Sequence, residues 1–262
     1  MLMDYVIAIP SYRRPSLLRD KTLAMLRNKG IPRERIFVFV ANQEEHLAYQ
    51  LIDPDLYNEL LVGVEGLVYQ RQFITDHYPE GTHIIQIDDD VSDVDLSADG
   101  ASKFKDFTLD EFFRFAFEDI KERNAFIWGV YPVYNPFFRN KNKETTDYLT
   151  FVIGTLYGYI NRHSPDLHLS IAQKHGGNKE DVERSILYFL KDGKTIRYNK
   201  VGIITKYYGV SGGLGNFKNR LVPMLEASQE LQDRYGEMGR IKTRKTGMTE
   251  FVLKWKCSAP CV

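Results

Sequence analysis

Cysteine is nearly missing: a chain of 262 residues holds only Cys257 and Cys261, both at its very end. Their spacing makes no zinc motif and no disulfide framework, so a frayed tail and a reducing, intracellular (cytoplasmic) setting are expected. Excess charge is missing as well. Lysine plus arginine equals aspartate plus glutamate, 35 each, so net charge steers the chain toward neither nucleic acid nor anionic membrane, and any such preference has to be local. No segment approaches the roughly 18 apolar residues of a membrane span, and the apolar run behind Asp4 is too short for a signal peptide. Gly-x-x-x-x-Gly-Lys-Ser/Thr is absent, which removes the P-loop enzymes. The glycine-rich stretch Gly209 to Gly215 lacks Gly-x-Gly-x-x-Gly and comes late, so dinucleotide binding is poorly supported. An EF-hand counted from Asp88 fails because Asp93 stands where glycine is needed and Asp99 where the bidentate glutamate belongs. His163, His168 and His175 are too irregularly spaced for a metal site. There is no internal repeat and no low-complexity linker, so residues 1–262 are expected to form one continuous domain.

A hydrophobic content of 43% is enough for a sizeable core, and its patterning alternates strand with helix. Strands are expected at Tyr5 to Ile9, Arg35 to Val40 and Leu60 to Val64. Helices are expected from Pro15, with Leu18, Thr22, Met25 and Leu26 on one face, then from Gln43 to Leu51 and from Leu67 to His77. Strands separated by helices of this length imply an α/β fold with a mostly parallel sheet and right-handed crossovers. Further on, a helix from Leu109 to Arg123, strand-like runs at Phe126 to Tyr134 and Thr150 to Ile160, a helix from Glu180 to Leu190 and a last strand from Val201 to Val210 suggest a mixed-sheet extension in the C-terminal half.

The most informative feature is Asp88-Asp89-Asp90 at the end of the apolar strand that contains Ile84, Ile85 and Ile87. Crowded carboxylates repel and need neutralising. At the carboxyl end of a strand buried on both faces, where α/β sheets bind their ligands, a divalent cation with a phosphate ligand does this; the alternative is a solvated acidic turn.

The order Ile7-Ala-Ile-Pro-Ser-Tyr-Arg-Arg-Pro15, Val64-Glu-Gly-Leu-Val-Tyr-Gln-Arg71, Ile87-Asp-Asp-Asp90 and Lys179-Glu-Asp-Val-Glu-Arg184 resembles nucleotide-sugar glycosyltransferases of the GT-A fold, similar to family 2. Within them the chain looks most like the TET-associated glycosyltransferases of phages and protists, which glycosylate hydroxymethylated pyrimidines in DNA. The resemblance spans roughly the first 190 residues. It implies a Rossmann-like sheet in which residues 1–100 bind the nucleotide sugar, a UDP-sugar above all, and residues 101–262 bind the acceptor. Pro10, Ser11, Tyr12, Arg14, Arg71, Asp88 and Asp89 would then face the donor. Asp88 and Asp90 match the Asp-x-Asp motif that holds Mn²⁺ or Mg²⁺ on the diphosphate. Asp181, with Glu180 next, matches the acidic pair carrying the catalytic base of an inverting transfer. One departure is the lack of any histidine after His175, where many GT-A enzymes add a metal ligand, so the metal would rely on aspartates, diphosphate and water.

Each of these residues also has a plainer reading. Glu180 and Asp181 could be helix N-terminal charges favoured by the macrodipole, Arg13 and Arg14 solvated loop charges, Tyr12 a core aromatic, and Arg71 a surface partner of Glu65. For the acceptor, the tail carries Arg240, Lys242, Arg244, Lys245, Lys254 and Lys256 against Glu250 alone, a local basic stripe that suits a phosphate backbone or is simply solvated. Trp128, Tyr131, Tyr134, Phe137 and Phe138 precede Arg139, Lys141 and Lys143, a mixture that could stack bases or sugars or could be core. The alternatives to a DNA-modifying enzyme are a glycosyltransferase with a glycan or small-molecule acceptor and a catalytically silent module that binds nucleic acid or a partner.

Overall fold

The computed structural model describes residues 4–205, 217–244 and 247–254. Its first half alternates strand and helix in the expected order. β1 (Val6–Pro10) leads into a helical segment over residues 15–28. Pro15, pre-set for a first helical turn, opens α1 (Pro15–Leu18); a π-helical turn Arg19–Leu23 follows, then α2 (Ala24–Asn28). β2 (Ile36–Val40), α3 (Gln43–Tyr49), β3 (Glu59–Val62), α4 (Leu67–His77) and β4 (His83–Ile87) complete this half. Strands β3, β2, β1 and β4 lie side by side in that order and are all parallel. β1 and β2 are buried at every position, as β-branched and aromatic runs covered on both faces should be.

The second half is mixed. β5 (Val91–Asp95) follows the aspartates, then α5 (Leu109–Glu122), opened by a capping box between Thr108 and Glu111. β6 (Ile127–Tyr131), α6 (Pro136–Arg139), β7 (Thr145–Thr146), β8 (Leu156–Ile160), α7 (Ser170–Lys174) and α8 (Glu180–Asp192) come next, and Gly193 ends α8 in the left-handed conformation at φ 74°. β9 (Ile196–Thr205), α9 (Phe217–Tyr235), β10 (Gly239–Thr243) and β11 (Thr249–Leu253) finish the described chain. β8 inserts antiparallel between β4 and β6, β9 runs parallel to β6, and β5 pairs antiparallel with β9 at the far edge. β10 and β11 form a separate antiparallel hairpin. The architecture is therefore α/β, mostly parallel on one side and mixed on the other, as expected.

Alternation along the strands sorts the core into two faces. Ile7, Ile9, Val38, Ile85 and Ile87 pack with α1, α2 and α5, while Val6, Ala8, Phe37, Phe39 and Ile84 pack under α4 and Tyr188 of α8. A third cluster joins α8 to α9 and the hairpin through Ile186, Phe189, Leu231 and Phe251. Gly158 makes the β8–β6 approach possible, because a Cβ there would lie 2.4 Å from the indole of Trp128.

Several expectations shift. The run Thr150 to Ile160 is strand only from Leu156, and the last strand starts at Ile196 rather than Val201; the part of that expectation beyond Thr205 and the glycine-rich segment Ser211 to Gly215 lie outside the described residues. β5, α9 and the hairpin had no clear expectation. β5 reads Val-Ser-Asp-Val-Asp, too polar to stand out, because as an edge strand only Val91 and Val94 of it are buried. Among the described residues no helix is long and apolar enough to cross a membrane.

Candidate active site

β6 and β9 run in the same direction as β4, so their carboxyl ends share one edge of the sheet with Asp88, Asp89 and Asp90. The turn that carries the aspartates is clamped by Thr22, whose hydroxyl donates to the Asp88 carbonyl at 2.7 Å and accepts from the Val91 amide at 3.0 Å. Thr22 lies in the π-helical turn, an irregularity that is frequent at functional sites.

The three aspartates take different directions. Asp88 follows the parity of Gln86 and turns toward α4, where Arg71 Nη2 holds its Oδ1 at 3.0 Å. Asp89 follows Ile85 and Ile87 to the other face. There it is buried, accepting from Ser11 Oγ at 2.6 Å and Arg14 Nη1 at 3.1 Å, with Tyr49 hydrogen-bonded to Ser11 behind it. Asp90 accepts from the Thr205 hydroxyl at 2.7 Å, and Arg14 Nη1 is 3.8 Å away. Burial lifts the Asp90 carboxyl above its ordinary range, and the charge of Asp88 adds to the lift. Asp88 keeps about a third of its side chain exposed. An all-oxygen pair of mutually repelling carboxylates fits a hard divalent cation, which is commonly bound through one or two carboxylates plus substrate phosphates. Among the described residues no group of three or more His, Cys, Asp or Glu side chains is gathered to hold a metal without such a ligand.

Of the residues expected to face the donor, Pro10, Ser11 and Asp89 are buried and support the turn from below. Tyr12 is half-exposed, donating its hydroxyl to Glu65 at 2.9 Å, with the Arg13 guanidinium 4.8 Å from its ring centre. It is therefore not a core aromatic and can stack on a ligand. Burial pushes Asp89 up to about 7, against the partial relief that Arg14 and Ser11 give. In the folded protein this group then keeps a proton that the unfolded chain gives up near 4. Its contribution to stability is complete below about pH 4 and is lost as the pH rises through about 7. Asp89→Asn removes that titration while keeping a side chain that can bond Ser11, so its urea midpoint should change less than the wild type's between about pH 4 and pH 8. Parallel pH profiles of the two proteins would mean that Asp89 stays charged throughout.

For Arg71 the structure excludes the plainer of its two readings. The residue does not pair with Glu65 at the surface. Only 4% exposed, its guanidinium donates to Gln86 Oε1 at 3.0 Å, Tyr157 Oη at 3.3 Å, Asp88 Oδ1 at 3.0 Å and the Gly154 carbonyl at 3.0 Å, and lies 3.5 Å from Glu180 Oε1. One cation thus ties the end of β4 to the start of α8. Gly154 permits this approach, since a Cβ there would fall 2.3 Å from Glu180 Oε1.

At the start of α8, Lys179 takes a left-handed conformation, φ 64°, after Gly176 and Gly177 at 63° and 84°. A lysine in that region is strained, and the strain marks the point where the acidic pair is aimed. Glu180 is buried between Arg71 and Arg184, with which it forms an i,i+4 ion pair. Asp181 is half-buried and accepts from the neighbouring Val182 amide at 2.9 Å. Burial raises the Asp181 carboxyl above its usual range, with Lys179 and Arg71 pulling the other way. Burial in turn lowers Lys179, whose surroundings include Asp181, Glu250, Arg220 and Arg244. That places the hairpin beside the acidic pair.

On the hairpin, Arg240 and Lys242 share one face of β10, and Arg244 follows directly after the strand; all three are exposed. Glu250 stands opposite Lys242 and binds Arg244 at 2.6 Å. Lys245, Lys256, Cys257 and Cys261 lie outside the described residues. The aromatic run after β6 splits: Trp128 is fully buried, while Tyr134, Phe137 and Phe138 are exposed. Arg139 is fully buried, ion-paired with Asp95 and bonded to the Lys200 carbonyl at 2.5 Å, so it cannot reach a phosphate. Sequence reasoning did not single out Thr22, Gly154, Tyr157 and Thr205. Arg184 alone had a readable signal, its i,i+4 spacing from Glu180.

No protein-family model matches this sequence, and no curated protein matches it. Solved structures do. TarS from S. aureus is 14% identical with a TM-score of 0.48, over 88% of this chain and 66% of that one, so this chain spans just under two thirds of that structure. Glucosyl-3-phosphoglycerate synthase from Mycobacterium tuberculosis, crystallised with Mn²⁺, UDP and glucosyl-3-phosphoglycerate, is 8% identical with a TM-score of 0.47, over 98% and 89%. The synthase of 4-diphosphocytidyl-2C-methyl-D-erythritol from Anaerococcus prevotii is 11% identical with a TM-score of 0.38, over 78% and 91%. Likeness at this level transfers no activity, and the functional argument rests on the residues.

Proposed function

We propose that this chain is a metal-dependent nucleotide-sugar glycosyltransferase of the GT-A type, acting with inversion. The observation that carries the reading is the Arg71 bridge. It brings Asp88, the partly open member of the carboxylate pair at the strand end, within electrostatic reach of a half-buried carboxylate at a helix start, Asp181. Asp88 and Asp90 would hold Mn²⁺ or Mg²⁺, which when bound supplies positive charge to a departing diphosphate. Tyr12 offers a face for the donor base, and Arg14, already shared between Asp89 and Asp90, keeps the turn in place.

Asp181 takes the proton of the acceptor hydroxyl as its oxygen attacks the anomeric carbon. The bond from that carbon to the diphosphate oxygen breaks, and the nucleoside diphosphate leaves with the electron pair. A carboxylate raised above its ordinary range is a stronger base, which suits this role. Glu180, held between two guanidinium groups, is poorly suited to it and instead fixes the start of α8.

For the acceptor, we favour DNA containing hydroxymethylated pyrimidine. The support is the exposed basic residues of the hairpin, of which Arg244 lies near Lys179, the residue that precedes the acidic pair. Mass spectrometry of hydroxymethylated DNA incubated with a panel of nucleotide sugars and Mn²⁺ is the direct test. Hexose or pentose added to the DNA supports the reading; addition only to free sugars or small molecules moves the acceptor to that class.

Two further outcomes are expected. Calorimetry with UDP should give an affinity at least about tenfold higher with Mn²⁺ than with chelator, and Asp90→Asn should abolish that difference. Equal affinity in both conditions removes the metal site. Replacing Arg240, Lys242 and Arg244 by alanine should weaken duplex binding at every sequence and reduce the slope of log affinity against log salt by about one per lost phosphate contact. Identical slopes would make the hairpin face a solvated one and point to a glycan or small-molecule acceptor.

A further inference from the structure

Between α4 and α8, on the Arg71 side of the sheet, lies a shallow cleft that opens to solvent. None of Asp88, Asp90 and Asp181 lines it, and the proposed reaction leaves it unused. Its floor is made by Tyr157 and Tyr159 of β8, one wall by Tyr188 of α8, and its outer lip by Ser164 and Leu167 of the loop after β8. Three arginines also line it, Arg71, Arg162 and Arg184, and no carboxylate does.

These arginines are incompletely satisfied. Arg71 and Arg184 are 4% and 5% exposed and share Glu180 between them, while Arg162 is bonded through both terminal nitrogens to Asp192 at 2.7 Å. Arg71 Nε, Arg162 Nε and Arg184 Nη1 are each buried without an acceptor among the described residues. Leaving buried charged donors unpaired is costly, and three such donors around one cleft is a rare arrangement unless something supplies the acceptors. The strain on Arg184 is visible in its protonation: burial pushes its guanidinium down to about 10, and the neighbouring charge of Arg71 adds to the effect. An oxyanion in the cleft would relieve both.

We infer that this cleft is a second ligand site, for a small organic oxyanion whose phosphate or carboxylate meets Arg71, Arg162 and Arg184 and whose body lies against the tyrosine and leucine walls. The mixed polar and apolar lining matches a ligand with a charged head and a body that extends into the open mouth of the cleft. Charge-assisted bonds from guanidinium forks are the strongest available to such a head. Because Arg71 also holds Asp88, and Arg184 also holds Glu180, an occupant would stiffen the bridge between the two halves of the active site.

Glucose, glucuronate and glucose 6-phosphate form a matched neutral, carboxylate and phosphate series for the test, titrated calorimetrically at constant ionic strength with chelator present so that the aspartate turn holds no metal. Binding of glucuronate or glucose 6-phosphate without binding of glucose is expected, and the better of the two identifies the head group. Arg162→Gln should weaken that binding at least about tenfold. Ser164→Trp, which narrows the lip without touching an ion pair, should do the same, and its UDP affinity with Mn²⁺ should equal that of the wild type. Failure of both anions to bind the wild-type protein overturns the site, as does binding that neither variant weakens.

Discussion

Asp181→Asn is expected to lower turnover by about 10²–10⁴-fold while UDP and Mn²⁺ bind as before, because the carboxylate is needed only while the acceptor proton is moving. The same residue sets the acid limb of the pH–rate profile. Since burial lifts its carboxyl, activity should rise with pH through a midpoint above the ordinary aspartate value, and that limb should vanish in the residual activity of the variant. Glu180→Gln separates the two acidic residues: it breaks the pairs with Arg71 and Arg184 and should cost stability as well as rate, whereas Asp181→Asn should leave the unfolding midpoint nearly unchanged. Full activity in Asp181→Asn would transfer the base role to another group. A product that retains the donor's anomeric configuration would end the single-displacement reading altogether.

Arg71→Met should be the most destabilising single change in the site, by about 3–5 kcal/mol, the range for stranding the partner of a buried ion pair. The variant loses the fork that holds Asp88, Gln86, Tyr157 and the Gly154 carbonyl together, and it leaves Glu180 with Arg184 alone. Arg71→Lys should recover little of this, since a point charge cannot reach four acceptors placed around a planar guanidinium. Urea unfolding measures the loss. A cost below about 1 kcal/mol for Arg71→Met would place this contact among solvent-screened pairs and contradict its burial. In activity assays both variants should lose turnover together with donor affinity, because the aspartate turn and the start of α8 are released at once.

What the sequence by itself determined is what local pattern encodes. Arg35 to Val40 read as a strand, and Ile84 to Ile87 as a strand buried on both faces. The spacing of Phe113, Ala116, Phe117 and Ile120 read as one face of a helix, and the acidic triplet marked the end of a strand. The basic alternation of Arg240, Lys242 and Arg244 was visible too, although the hairpin that presents it was not.

Tertiary structure decided everything that depends on partners far away in the chain. Arg71 reaches Gly154 across 83 positions, Asp90 reaches Thr205 across 115, and Thr22 clamps the aspartate turn across 66. No periodicity of 2 or 3.6 records such choices. Arg71 was expected to face the donor and Arg139 to be free for a phosphate, because an arginine is normally too costly to bury. They are buried here only because the fold delivers carbonyls and carboxylates to their guanidinium groups. For the same reason three adjacent aspartates looked equivalent in sequence and are not in space. The pleat sends Asp88 and Asp89 to opposite faces of the sheet, so one meets Arg71 and remains partly open, while the other is sealed against Ser11 and Arg14.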